Sequence, residues 1–129
     1  MEKESFYITN HTKGKLKSLP FSKIKGHCVG QNFEVSLVFI GEKKARFLNY
    51  RYRKKKYVPN VLSFPLGNNS GEIFICPKQA ARDAKKFGMN SEKFLPFLFI
   101  HALFHLKGLS HGSTMEKKEA SVRKKFRIA

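Results

Sequence analysis

Residues Ser91–His111 read SEKFLPFLFIHALFHLKGLSH, and this stretch decides how the rest of the chain must be arranged. From Phe94 to Leu106 there is no charged side chain and almost no polar one, which predicts a helix buried on most of its sides. Pro96 fits such a helix only in its first turns, because deeper placement would break the backbone ladder. Gly108 ends it, since glycine readily adopts the left-handed angles that turn a chain at a helix C-terminus. The apolar run is too short to span a bilayer, which needs roughly 20 residues as a helix.

Two histidines interrupt that run, and a third follows the turn: His101, His105 and His111. A helix advances about 100° per residue, so residues four apart project side by side. His101 and His105 therefore share one face, and the reversal at Gly108 lets His111 fold back towards them. Core histidines would be the ordinary explanation for one such residue. Two imidazoles on the same face of the most apolar helix are costly to bury unless they are paired. Three imidazoles with a vacant fourth position suit a catalytic transition-metal site, most simply one zinc ion per chain. Zinc peptidases share this spacing but carry Glu directly after the first histidine as general base. Here that position is Ala102, which argues against proteolysis. His11 and His27 lie in a basic region and read as solvated surface residues.

Outward from this helix, Phe33–Ile40 (FEVSLVFI) alternates as a strand with Phe33, Val35, Leu37 and Phe39 on one face. Gly41 breaks it. Residues 42–53 (EKKARFLNYRYR) read as a basic helix whose inner side carries Ala45, Leu48 and Tyr52. Residues 61–64 and 72–76 form two strands of a hairpin around the turn-rich PLGNNSG. Pro77 opens a helix with Ala80, Ala84 and Phe87 as its apolar stripe, closed by Gly88. Residues 5–9 suggest a first strand, residues 11–27 a helix-poor connection, and residues 115–127 a last, surface-exposed helix.

Composition narrows the partners. The chain of 129 residues reads as one domain, 1–129, with 41% hydrophobic and 27% charged residues, so it is not a disordered class. Lys plus Arg number 26 against 9 Asp plus Glu, a net charge of +17, which predicts a polyanionic partner and nucleic acid before an anionic membrane. The basic stretches Lys13–Lys25, Arg51–Lys56 and Lys117–Arg127 are placed to hold phosphates. Tyr50, Tyr52 and Tyr57 are placed either to stack on unpaired bases or to pack as cover. Cys28 and Cys76 are isolated, and the N-terminus lacks the apolar core of a signal peptide, so a cytoplasmic, reducing setting is expected.

Four motifs then carry a resemblance. Leu48-Asn49-Tyr50-Arg51-Tyr52-Arg53, Asn60-Val61-Leu62-Ser63-Phe64-Pro65, Gly71-Glu72-Ile73-Phe74-Ile75 and the histidine run occur in this order. In sequence and spacing the chain resembles the YbeY family of bacterial rRNA maturation factors, proposed metal-dependent endoribonucleases. The resemblance implies an α+β fold: one compact domain, a small mixed sheet flanked by helices, and a metal site at the end of the central buried helix. It implies zinc held by His101, His105 and His111, and a functional role for Arg53, the last residue of the first motif. RNA, single-stranded regions of ribosomal RNA in particular, and the ribosome or a small-subunit precursor are the implied partners, with 3′-end processing of 16S rRNA as the implied task. The chain departs from the family pattern at Pro59, at Glu72, and at Gly108-Leu109-Ser110-His111, where an Asp ordinarily precedes the last histidine. A ribosome-assembly or RNA-binding factor with a mainly structural zinc stands as the alternative.

Overall fold

In the computed structural model, which describes residues 5–16, 18–110 and 112–128, the expected core helix is α4 (Ser91–Leu106). The other elements, in chain order, are β1 (Phe6–Asn10), α1 (Phe21–Val29), β2 (Glu34–Phe39), α2 (Glu42–Arg53), β3 (Val61–Gly67), β4 (Ser70–Ile75), α3 (Pro77–Lys86) and α5 (Ser113–Lys125). Asn90 caps α4, its side-chain oxygen accepting from the Glu92 backbone N–H at 2.8 Å. Pro96 is buried in the second turn, and the helix runs on through it. No helix among the described residues is long and apolar enough to cross a membrane.

The sheet has the order β1-β2-β4-β3, with β1, β2 and β4 parallel and β3 antiparallel to β4. Strand alternation sorts side chains to its two faces. Val35, Leu37, Phe39, Ile73 and Ile75 join Phe99, Ile100 and Leu103 of α4 in the main core. Val38 and Ile40 face the other way and bury Ala45 and Leu48 of α2. The sheet is thus a middle layer, with α2 on one face and α4 among α1, α3 and α5 on the other. Gly71 lies against Leu106 of α4: a Cβ there would sit 2.6 Å from both of its methyl carbons. The hairpin strands run further than expected, into PLGNNSG, leaving Asn68 and Asn69 as the turn. Pro65 is tolerated because β3 is an edge strand.

Several expectations need correction. The stretch expected to be a helix-poor connection contains α1, because Phe21, Ile24, Lys25 and Val29 fall on one helical face and bury it. Lys25 is thereby removed from the phosphate-binding set. Its ammonium donates to Ser5 Oγ at 2.8 Å and to the Gln31 carbonyl at 3.2 Å, and burial pulls its pKa down. On α2 the third inward residue is Asn49, not Tyr52, which is 63% exposed. Phe87 leaves the α3 stripe and lies largely in solvent, against the ring of Phe94. The last helix is amphipathic, not a surface element only, since Met115, Glu119 and Val122 are buried against the core.

Candidate metal centre

The two helical histidines do meet. Their Nε2 atoms lie 3.0 Å apart, with the rings nearly perpendicular. Each ring is held from behind. His101 Nδ1 faces Glu119 Oε2 at 3.1 Å, a carboxylate delivered by α5 and itself 6% exposed. His105 Nδ1 faces the Leu109 carbonyl oxygen at 3.2 Å. That carbonyl is brought back by the turn at Gly108, whose φ is +88°. The Gly108 N–H donates to the His105 carbonyl and the Leu109 N–H to the Phe104 carbonyl, the pattern in which a left-handed residue closes a helix.

These partners fix which nitrogen of each ring points away from its support. A carboxylate and a carbonyl accept only, so each Nδ1 carries a hydrogen, and in the neutral rings each Nε2 then presents its lone pair. Two lone pairs facing each other at this distance repel unless a cation or a shared proton lies between them. Two nitrogens bound tetrahedrally to one zinc would be roughly 3.3 Å apart, close to the observed separation. The residues present therefore fit a transition metal. His111 lies outside the described residues. Among the described residues no group of three or more His, Cys, Asp or Glu side chains is placed to hold an ion.

Arg53 shares a cleft with the pair. It lines, with Val61, Leu62, Ser63, His101, Ala102 and His105, a cleft of about 410 Å³ over the edge strand β3. Its Nη1 donates to Asn49 Oδ1 at 3.3 Å, and the buried Asn49 amide donates in turn to the Tyr57 carbonyl at 3.0 Å. Asn49 thus ties the arginine to the loop after α2. Ala102 lines the cleft where a peptidase would place its carboxylate. His11 and His27 are exposed, as expected, with His27 edge-on to Phe126. Glu119 and Asn49 are the supporting residues that motif reading passed over. Their signal was a polar residue on an otherwise apolar helical stripe.

Fold and cleft together define the class: an α+β domain in which a supported histidine pair and an arginine line one edge-strand cleft. The family model described as "Endoribonuclease YbeY" matches residues 3–127, and the chain belongs to that family. Among its relatives, the "Endoribonuclease YbeY" of Phytoplasma australiense is 37% identical over 84% of this chain and 83% of its own length. That of Finegoldia magna is 38% identical over 75% of this chain and 71% of its own. A solution structure of a Thermotoga maritima protein superposes with a TM-score of 0.65 at 26% identity, covering 95% of this chain and 91% of that one.

Proposed function

We propose that the chain is a zinc-dependent endoribonuclease that cuts single-stranded ribosomal RNA during ribosome maturation in the cytoplasm, notably at the 3′ end of 16S rRNA. The observation that carries this reading is the pair of Nε2 atoms converging at 3.0 Å in a cleft that Arg53 also lines. Family membership supports the RNA-cleaving part of it. His101 and His105, with His111, would hold the ion, while Glu119 and the Leu109 carbonyl keep the first two rings in the metal-binding tautomer. Zinc, when bound, supplies a Lewis acid that polarises a phosphoryl oxygen and makes water more acidic. Arg53 donates to the non-bridging oxygens of the phosphate through a charge it never loses. The edge of β3 forms the floor on which the backbone lies.

The test uses zinc-loaded and chelator-stripped protein on single-stranded and duplex RNA. Cleavage confined to the loaded protein and the single strand is expected, and His105→Ala should lose stoichiometric zinc. Arg53→Ala should keep zinc and most RNA affinity yet cleave roughly a hundredfold more slowly, the scale of losing one preorganised donor to the transition state. Parent-rate cleavage by Arg53→Ala would remove its catalytic role. Zinc retention and RNA binding with no cleavage by the parent would establish the assembly-factor alternative.

A further inference from the structure

The outward face of α2 carries two large aromatic rings that lie largely in solvent. Ala45, Leu48 and Asn49 supply the buried side, while Phe47 is 57% exposed and Tyr50 53%. They sit three residues apart, so their rings are neighbours on one face. With Lys43, Arg46 and Lys56 they line a shallow hollow of about 470 Å³. Cations accompany both rings, Lys44 Nζ lying 5.6 Å from the centre of Phe47 and Lys54 Nζ 5.8 Å from that of Tyr50.

The hollow is joined to the histidines. Arg46 lines both it and a larger cleft of about 700 Å³. Arg53 and Val61 line both that cleft and the one containing His101 and His105. The larger cleft adds Arg82 and Lys86. Its two carboxylates are already engaged: Glu42 with Arg82 at 2.6 Å, and Asp83 with the Asn60 and Gln79 amides at 2.9 and 3.0 Å. At about 1.5 Å per residue, the six residues from Phe47 to Arg53 cover roughly 9 Å along the helix axis.

We propose that this continuous basic path is the track of a single RNA strand leaving the cleavage cleft, and that Phe47 and Tyr50 are its stacking platform for unpaired bases. The inference rests on the endoribonuclease reading and extends it to a second substrate contact. Charge decides the occupant. Residues 43–56 contain eight cationic side chains and no acidic one. A second copy of a chain carrying +17 would meet like charge there. A flexible single strand meets both needs, phosphates for the lysines and arginines and flat faces for the rings. Duplex RNA hides its bases and would gain only the phosphate contacts.

The experiment compares RNA oligonucleotides of increasing length, with and without abasic positions, on the zinc-loaded parent, Phe47→Ala, Tyr50→Ala and Phe47→Tyr. Affinity for the parent should step up once the RNA is long enough to reach the hollow. Each alanine should lower long-RNA affinity on the order of five- to a hundredfold, the range for one base stacked on one ring. KM should rise with it while kcat stays, short RNA should be handled as by the parent, and Phe47→Tyr should restore the step. Abasic positions over the hollow should reproduce the loss in the parent and add nothing in the alanine variants. Parent-like affinity of both alanine variants for long RNA would overturn the proposal, as would equal losses on intact and abasic RNA. Loss of self-association in place of RNA affinity would also overturn it, making the hollow a contact between copies. The two readings fail separately. A length step that depends on the rings without any cleavage sinks the nuclease and keeps the track, whereas cleavage without a ring-dependent step does the reverse.

Discussion

Replacing Glu119 tests whether zinc binding at the proposed centre depends on a residue outside the ligand set. Its carboxylate is 3.1 Å from His101 Nδ1 and 6% exposed, so water competes weakly for the carboxylate. Glu119→Ala removes the acceptor, leaves a half-buried ring N–H without it, and frees the ring to rotate or change tautomer. Loss of such an outer partner typically lowers metal affinity about 10- to 100-fold, or roughly 1.4 to 2.7 kcal/mol. Glu119→Gln keeps a neutral acceptor, and since a charge-assisted bond is about twice as strong as a neutral one, its loss should be smaller. Zinc affinity measured by competition with a chromophoric chelator should therefore rank parent, Gln, Ala. Glu116→Ala is the control, because it removes the same charge from the exposed side of the same helix and should change nothing. Parent-like zinc affinity in Glu119→Ala, or an equal loss in Glu116→Ala, would refute the reasoning.

Other outcomes follow from the packing and the charge. Gly71→Ala drives a methyl into Leu106 and should destabilise the fold by about 1–3 kcal/mol in urea unfolding, with part of that recovered when Leu106→Ala is added. Additive losses in the double variant would mean that the two residues do not press on each other. RNA affinity should fall steeply as salt is raised, because each neutralised phosphate releases counterions; a flat salt titration would detach the +17 charge from RNA binding. Burial pushes the Cys28 thiol up to about 12 and raises that of Cys76, so both stay protonated at pH 8 and should alkylate far more slowly in the folded chain than in urea. Rapid labelling of both in the native protein would contradict their placement.

Much of this architecture was legible because its signals are local. The alternation from Phe33 to Ile40 and the break at Gly41 mark β2, and the next twelve residues form α2 with the bounds expected. The i, i+4 spacing of His101 and His105 placed both rings on one face. α1 was hidden because Ser, Lys and Gly separate Phe21, Ile24 and Val29 and mask a helical stripe that is nonetheless present. Glu119 was hidden for another reason. It lies 18 residues from His101, and only the docking of α5 makes them neighbours. Asn49 stood in plain view within a quoted motif, and its contact with Arg53 is local to α2, but the hydrogen bond from its amide to the Tyr57 carbonyl needs the folded loop.

The support that α5 gives to His101 bears on the order of events during synthesis. Residues 101 and 105 leave the ribosome before residue 119 does, so α4 can form before its partner carboxylate arrives. At that stage α4 lacks the Met115 and Val122 packing that covers its core face, and His101 lacks its carboxylate. The histidine pair therefore gains its carboxylate only when a later segment docks. Docking of α5 is thus the folding step that fixes the His101 ring.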